Sequence, residues 1–95
     1  MIELDLLQDR ITVKGHANSA PHGKDIICAS VSVLTQNLIK SINDLTEDKI
    51  EYEISPGWVD IKYGDLSEKS SILIDSFFIG ICAIANEYPE NIKIV

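Results

Sequence analysis

One cysteine and two histidines lie within a single stretch of the chain and could form a nucleophilic site. His16 and His22 are the two histidines of the protein, and Cys28 is one of its two cysteines. A cysteine nucleophile needs an imidazole beside it, which holds the thiolate and later protonates the leaving group. The residue types and their order therefore predict thiol chemistry between residues 15 and 32.

Cys28 is expected in the first turn of a helix. Asp25 is a favoured N-cap residue, and an N-cap there makes Cys28 the third helical residue. The N–H groups and the positive end of the helix dipole favour a thiolate at this place, and the same N–H groups can hold an oxyanion. The alternative interpretation is a small buried core residue, because cysteines without a disulfide often pack that way.

Two histidines compete for the role of the base. His16 directly follows a predicted strand, whereas His22 lies between Pro21 and Gly23 at the expected tip of a loop. A catalytic base must be held firmly and a loop tip is held poorly, so His16 is the preferred candidate. Either histidine, taken alone, can also be an ordinary solvated side chain.

Neighbouring residues are candidates for supporting roles. Asp25 can cap the helix alone or also orient the imidazole, and both roles stay open. Ser32 lies one turn beyond Cys28 on the same helix face, where it can pack or bond the backbone. Gly15 and Gly23 lie in a loop without apolar periodicity, which we expect to be mobile. No metal and no cofactor are predicted, since metal-ligand spacings and phosphate-binding glycine motifs are missing from the sequence.

Apolar residues that alternate with polar ones predict the strands. The alternation covers 2–6, 11–13, 50–54, 59–63 and a short last segment at 92–94. The first two strands form a hairpin, and the next two form a second hairpin around the turn signal Ser55-Pro56-Gly57.

Two helices are predicted between the strands. The first starts after Asp25 and frays near Asn43-Asp44, with one apolar face formed by Ile27, Val31, Leu34, Leu38, Ile42 and Leu45. The second is capped by Ser67 or Ser70 and is apolar around most of its circumference, so it should be buried on more than one side. The order ββαββαβ predicts an α+β fold: a two-layer sandwich with both helices packed on one face of a mostly antiparallel sheet.

The bulk composition narrows the class of protein. The chain of 95 residues is long enough for one domain, 1–95, and its 45% hydrophobic content is that of a folded protein. A net charge of −7 disfavours direct binding of nucleic acid and suits a basic peptide or protein partner. We expect no signal peptide and no membrane span, because the apolar run 72–85 is short and interrupted by Asp75. The cytoplasm is the expected compartment.

The central stretch resembles the signature of the ribosomal-processing cysteine protease family, Prp. The resemblance lies in Gly15-His16-Ala17, Gly23, Asp25-Ile26-Ile27-Cys28-Ala29 and Ser32, and the length and element order fit over essentially the whole chain. It implies a cysteine endopeptidase with a dyad on His16 and Cys28. It further implies removal of the N-terminal extension of large-subunit ribosomal protein number twenty-seven in support of ribosome assembly, a homodimer, and a movable loop that admits the peptide.

Two other functions remain open. The chain could be a non-catalytic module that binds a ribosomal or other basic protein. It could also be a thiol redox protein, but this function needs a second cysteine near Cys28. Cys82 is a poor candidate for that partner, since it is predicted to lie in the core on the second helix.

Overall fold

The fold is a five-stranded sheet with two helices. The structure is a computed structural model that describes residues 1–16 and 25–95. In chain order the elements are β1 (Ile2–Leu6), β2 (Arg10–Lys14), α1 (Ile26–Leu45), β3 (Glu51–Ser55), β4 (Trp58–Lys62), α2 (Glu68–Glu87) and β5 (Ile92–Ile94). This confirms the predicted order and the α+β class.

The strand order of the sheet is β3-β4-β2-β1-β5, and only the pair β1 and β5 is parallel. β2 runs antiparallel to β4, with Lys14 at the end of β2 opposite Trp58 at the start of β4. The turn between β3 and β4 is therefore placed beside the chain that leaves β2. This pairing brings the β3–β4 hairpin to the candidate site.

The core lies between the sheet and the helices. Alternation predicted its strand residues Ile2, Leu4, Ile11, Val13 and Ile61, but it was wrong for the edge strand β3, where Tyr52 and Ile54 are 53% and 50% exposed. The buried stripe of α1 departs from the prediction, because Leu45 is 63% exposed and Thr35 and Ile39 are buried. Leu45 is the last residue of its helix, at the margin of the core. Thr35 can be buried because its hydroxyl donates to the Val31 carbonyl at 2.7 Å.

The second helix has less buried surface than its composition predicts. Ser67 is its N-cap, but its buried residues are only Ser70, Phe77 and Ile81. Cys82 is half-buried rather than core, since much of α2 faces away from α1 and β5, against which the helix packs. By length and composition alone, α2 is the one helix in the described part of the chain that could cross a bilayer.

On the outer face of the sheet, the buried carboxylate of Asp60 joins β4 to β2. Asp60 is 5% exposed and accepts hydrogen bonds from Arg10 Nε at 2.7 Å and Nη2 at 2.8 Å. The Thr12 hydroxyl donates to the same carboxylate at 3.3 Å. The Arg10 hydrogen bonds hold the pKa of Asp60 below its usual range. The charged form is therefore favoured in the folded state, and its stabilising effect is present above the unfolded pKa of about 3.9 and lost on acidification.

We expect Asp60→Asn to lower the melting temperature by several degrees at neutral pH, because the charge that pairs with Arg10 is lost. The difference from the wild type should shrink as the pH falls below about 4, because Asp60 of the unfolded wild type is protonated there first and Asp60 of the folded protein only at its lower pKa. Thermal melts followed by circular dichroism between acidic and neutral pH measure it. Glu53→Gln is the control, since Glu53 is an exposed acidic residue opposite Asp60 on β3. An Asp60→Asn difference that does not change with pH would contradict this account.

Candidate active site

A cleft of about 440 Å³ opens between the first half of α1 and the β3–β4 hairpin. His16 lines it from the end of β2, Cys28 and Ser32 line it from α1, and Gly57 and Trp58 line it from the hairpin. The preferred histidine and the predicted nucleophile, which are twelve residues apart in sequence, thus face the same cavity.

The backbone at His16 is tied to two other parts of the sheet. The Gly15 N–H donates to the Gly57 carbonyl at 2.8 Å, which extends the pairing of β2 and β4 by one residue. The Met1 amino group donates to the His16 carbonyl at 2.6 Å. Gly15 has a φ of +91°, and any Cβ there would overlap the Met1 carbonyl, so only glycine fits. The His16 side chain is exposed at the mouth of the cleft.

Cys28 lies in the first turn of α1, as predicted. The Asp25 carboxylate accepts hydrogen bonds from the Ile27 and Cys28 N–H groups at 3.0 Å each, which confirms Asp25 as the N-cap. We expected N–H groups of the first turn to hold an oxyanion. The Ile27 and Cys28 N–H groups do not meet this expectation, because both already donate to the Asp25 carboxylate. The Cys28 side chain is half-buried and packs against the core from the side of the cleft.

Ser32 and Gln36 continue the α1 wall of the cleft beyond Cys28. The Gln36 Nε2 group donates to the Ser32 hydroxyl at 3.0 Å, so Ser32 accepts from a side chain. Gln36 was not singled out from the sequence, although its spacing was a usable signal. Cys28, Ser32 and Gln36 follow one another at four-residue intervals and so share one helix face.

The opposite wall is formed by residues that the sequence analysis did not connect with the site. Ile54, Pro56, Gly57 and Trp58 line the cleft from the hairpin. The turn itself was predicted, but its position beside His16 depends on the pairing of β2 with β4. Such long-range pairing leaves no local signal in the sequence.

The remaining predicted site residues are His22 and Gly23, which lie outside the described residues, as does the expected mobile loop over most of its length. Within residues 1–16 and 25–95, no three histidine, cysteine or acidic side chains cluster in a way that could hold a metal ion. No disulfide joins Cys28 and Cys82, and Cys82 does not line the cleft.

A histidine and a first-turn cysteine that line one cleft are the groups that a cysteine protease needs. Comparison with known families agrees with this class. A sequence model of the family described as cysteine protease Prp matches residues 1–93. The chain belongs to this family.

Individual relatives cover nearly the whole chain. The ribosomal processing cysteine protease Prp of Mycoplasma genitalium is 31% identical over 97 residues, which cover 99% of this chain and 94% of that protein. The Staphylococcus aureus protein of the same name is 26% identical and covers 88% of this chain and 82% of its own length.

Solved structures share the fold. The crystal structure of an essential ribosomal processing protease Prp from S. aureus, in complex with a covalently linked product peptide, has a TM-score of 0.92 at 23% identity. The match covers 99% of this chain and 97% of that one. A second S. aureus Prp structure, in complex with a substrate peptide, has a TM-score of 0.83 at 20% identity, covering 99% and 95% of the two chains.

Proposed function

We propose that this chain is a cysteine endopeptidase that removes the N-terminal extension of large-subunit ribosomal protein number twenty-seven in the cytoplasm. His16 and Cys28 form its dyad. The observation that carries the proposal is that both residues line one cleft in a chain that belongs to the Prp family. Relatives named for ribosomal processing support a ribosomal protein as the substrate.

The first half of the reaction forms a thioester. The Cys28 thiolate attacks the carbonyl carbon of the scissile peptide bond, and the C–N bond breaks as the tetrahedral intermediate collapses. His16 gives a proton to the departing amine, which leaves as the N-terminus of the mature ribosomal protein. The extension stays attached to the Cys28 sulfur through its terminal carbonyl.

The second half of the reaction releases the extension. His16, now neutral, takes a proton from a water molecule as that water attacks the thioester carbonyl. The carbon–sulfur bond breaks, the extension leaves with a new carboxylate, and Cys28 returns to the thiolate. One water is consumed for each peptide bond that is cut.

The cleft has the surface that an extended peptide needs. Its α1 wall carries the polar side chains of Ser32 and Gln36, whereas its hairpin wall is largely apolar, with Ile54 and Trp58. The net charge of −7 suits a basic substrate such as a ribosomal protein, because opposite charge speeds the encounter. No nucleic acid is needed for the reaction.

The proposal is tested by incubating the purified chain with ribosomal protein number twenty-seven, with and without its extension. We expect one cut in the extended protein, read by intact mass spectrometry, and none in the shortened one. An extended protein that binds but stays intact would contradict the proposal and would favour the non-catalytic binding module.

The homodimer belongs to the same proposal, with the groove between α1 and α2 as its interface. This groove has a volume of about 550 Å³ and is lined mostly by apolar side chains, among them Ile26, Val33, Leu34 and Ile84. Ile26 and Val33 are each 67% exposed, and a second copy of the chain would remove this apolar surface from water. The α2 residues Gly80 and Ile84 line the groove, and Ile72 and Ile79 of the same helix are also exposed.

We expect light scattering at micromolar concentration to give about twice the 10.5 kDa mass of the chain. Val33→Glu should shift the mass to that of the monomer, because it places a charge in the groove. Leu7→Glu is the matched control, since Leu7 is 54% exposed and does not line the groove. A monomeric wild type would contradict the dimer but not the peptidase activity.

A further inference from the structure

Gly57 lies directly against the imidazole of His16. It is the second residue of the two-residue turn between β3 and β4, and its φ is +72°. A Cβ atom at this position would lie 2.7 Å from His16 Nε2, 3.3 Å from Cε1 and 3.4 Å from Cδ2. The edge of the ring that carries Nε2 therefore occupies the space that a side chain at position 57 would need.

The same glycine also fixes the backbone beside His16. Its carbonyl accepts the hydrogen bond from the Gly15 N–H at 2.8 Å. The Pro56-Gly57 order is typical of a turn whose third residue needs a positive φ, so the turn and the contact with the ring both require glycine. Gly57 thus fixes the backbone of Gly15, next to His16, and limits where the His16 imidazole can lie.

We infer that Gly57 is a positioning residue for His16, acting through its missing side chain and its carbonyl. This inference rests on the proposed role of His16 as the base. His16 lies two residues beyond the end of β2, so its own backbone is not part of a helix or strand. A catalytic group must be kept within about 0.5 Å of its productive place. The β3–β4 turn supplies the wall that does this.

The test replaces Gly57 by asparagine and by alanine. Both substitutions add a Cβ that must displace the His16 ring. Asparagine tolerates a positive φ better than alanine, so comparing the two variants separates the effect of the contact with the ring from the effect of backbone strain. We expect kcat to fall by about 10- to 100-fold in both variants. KM should stay within about twofold, because the peptide still binds. Gly64→Ala is the control, since a Cβ there meets no atom within 4 Å.

Two readouts distinguish positioning from a general effect on the fold. In a His16→Ala background, Gly57→Asn should cause no further loss of activity, because the residue through which it acts is gone. In the wild-type background, the imidazole signal of His16 in the NMR spectrum should shift in the Gly57 variants and not in Gly64→Ala. His22, the other histidine of the chain, gives the reference signal.

The outcomes separate this inference from the proposed function. A folded Gly57→Asn variant with wild-type kcat overturns the inference and leaves the dyad intact. An equal loss of activity in the His16→Ala background overturns it as well, and so does loss of the folded state in both Gly57 variants. A wild-type rate in His16→Ala alone would instead reject His16 as the base, and the inference with it.

Discussion

Replacing Cys28 by alanine is expected to lower kcat for cleavage of the extended ribosomal protein by roughly 10⁶-fold, to below detection. The loss is this large because the remaining groups of a catalytic unit act through the nucleophile and contribute little without it. The rate of fragment formation, followed by intact mass spectrometry, measures the effect. A thermal melt on the same sample shows whether the variant is folded.

Cys82→Ala is the matched control for this substitution. Cys82 is the other cysteine of the chain, is half-buried on α2 and does not line the cleft. We expect it to cleave at the wild-type rate. Cleavage that survives Cys28→Ala would reject Cys28 as the nucleophile. Loss in Cys82→Ala alone would point to a second essential thiol, as in a redox protein.

Replacing His16 by alanine is expected to lower kcat by about 10²- to 10⁴-fold. Without the imidazole, the leaving amine receives no proton and the water that attacks the thioester is not activated. The loss should lie in kcat and should not be restored by more substrate, because His16 acts on the transition state rather than on binding. Steady-state rates over a range of substrate concentrations measure both parameters.

His22→Ala is the control for the histidine. His22 lies outside the described residues, and its competing candidacy rests on sequence alone. We expect its replacement to leave kcat within about threefold of the wild type, since the proposed mechanism gives His22 no proton transfer. The reverse pattern, with a large loss in His22→Ala and none in His16→Ala, would transfer the role of the base to His22.

The local parts of this fold were predictable from the sequence because their causes are local. Alternation in β1 and β2 follows from the pleat of a half-buried strand. Asp25 predicted the start of α1 because a cap satisfies N–H groups only two and three residues away. The wrong predictions concern side chains whose exposure depends on which other elements pack against them. Leu45 and Cys82 are on apolar faces by spacing, but Leu45 is 63% exposed and Cys82 is only half-buried.

The site was predictable in part for the same reason. Cys28 could be placed in the first helical turn from Asp25 alone, and the structure agrees. The Asp25 carboxylate also accepts the hydrogen bonds of the Ile27 and Cys28 N–H groups, which were expected to hold an oxyanion. Only the structure shows that the carboxylate and an oxyanion would compete for the same two donors. The contact between Gly57 and His16 could not be predicted from the sequence, because it depends on the strand order and on which face of the turn meets the imidazole.

The most direct measurement of the central claim is a single-turnover experiment with the enzyme in excess over extended ribosomal protein number twenty-seven. Samples quenched in acid are read by intact mass spectrometry, with wild type and Cys28→Ala side by side. We expect two fragments from the wild type, whose masses sum to the substrate plus one water, and intact substrate from Cys28→Ala. Substrate left intact by the folded wild type, or cut equally by Cys28→Ala, would contradict it.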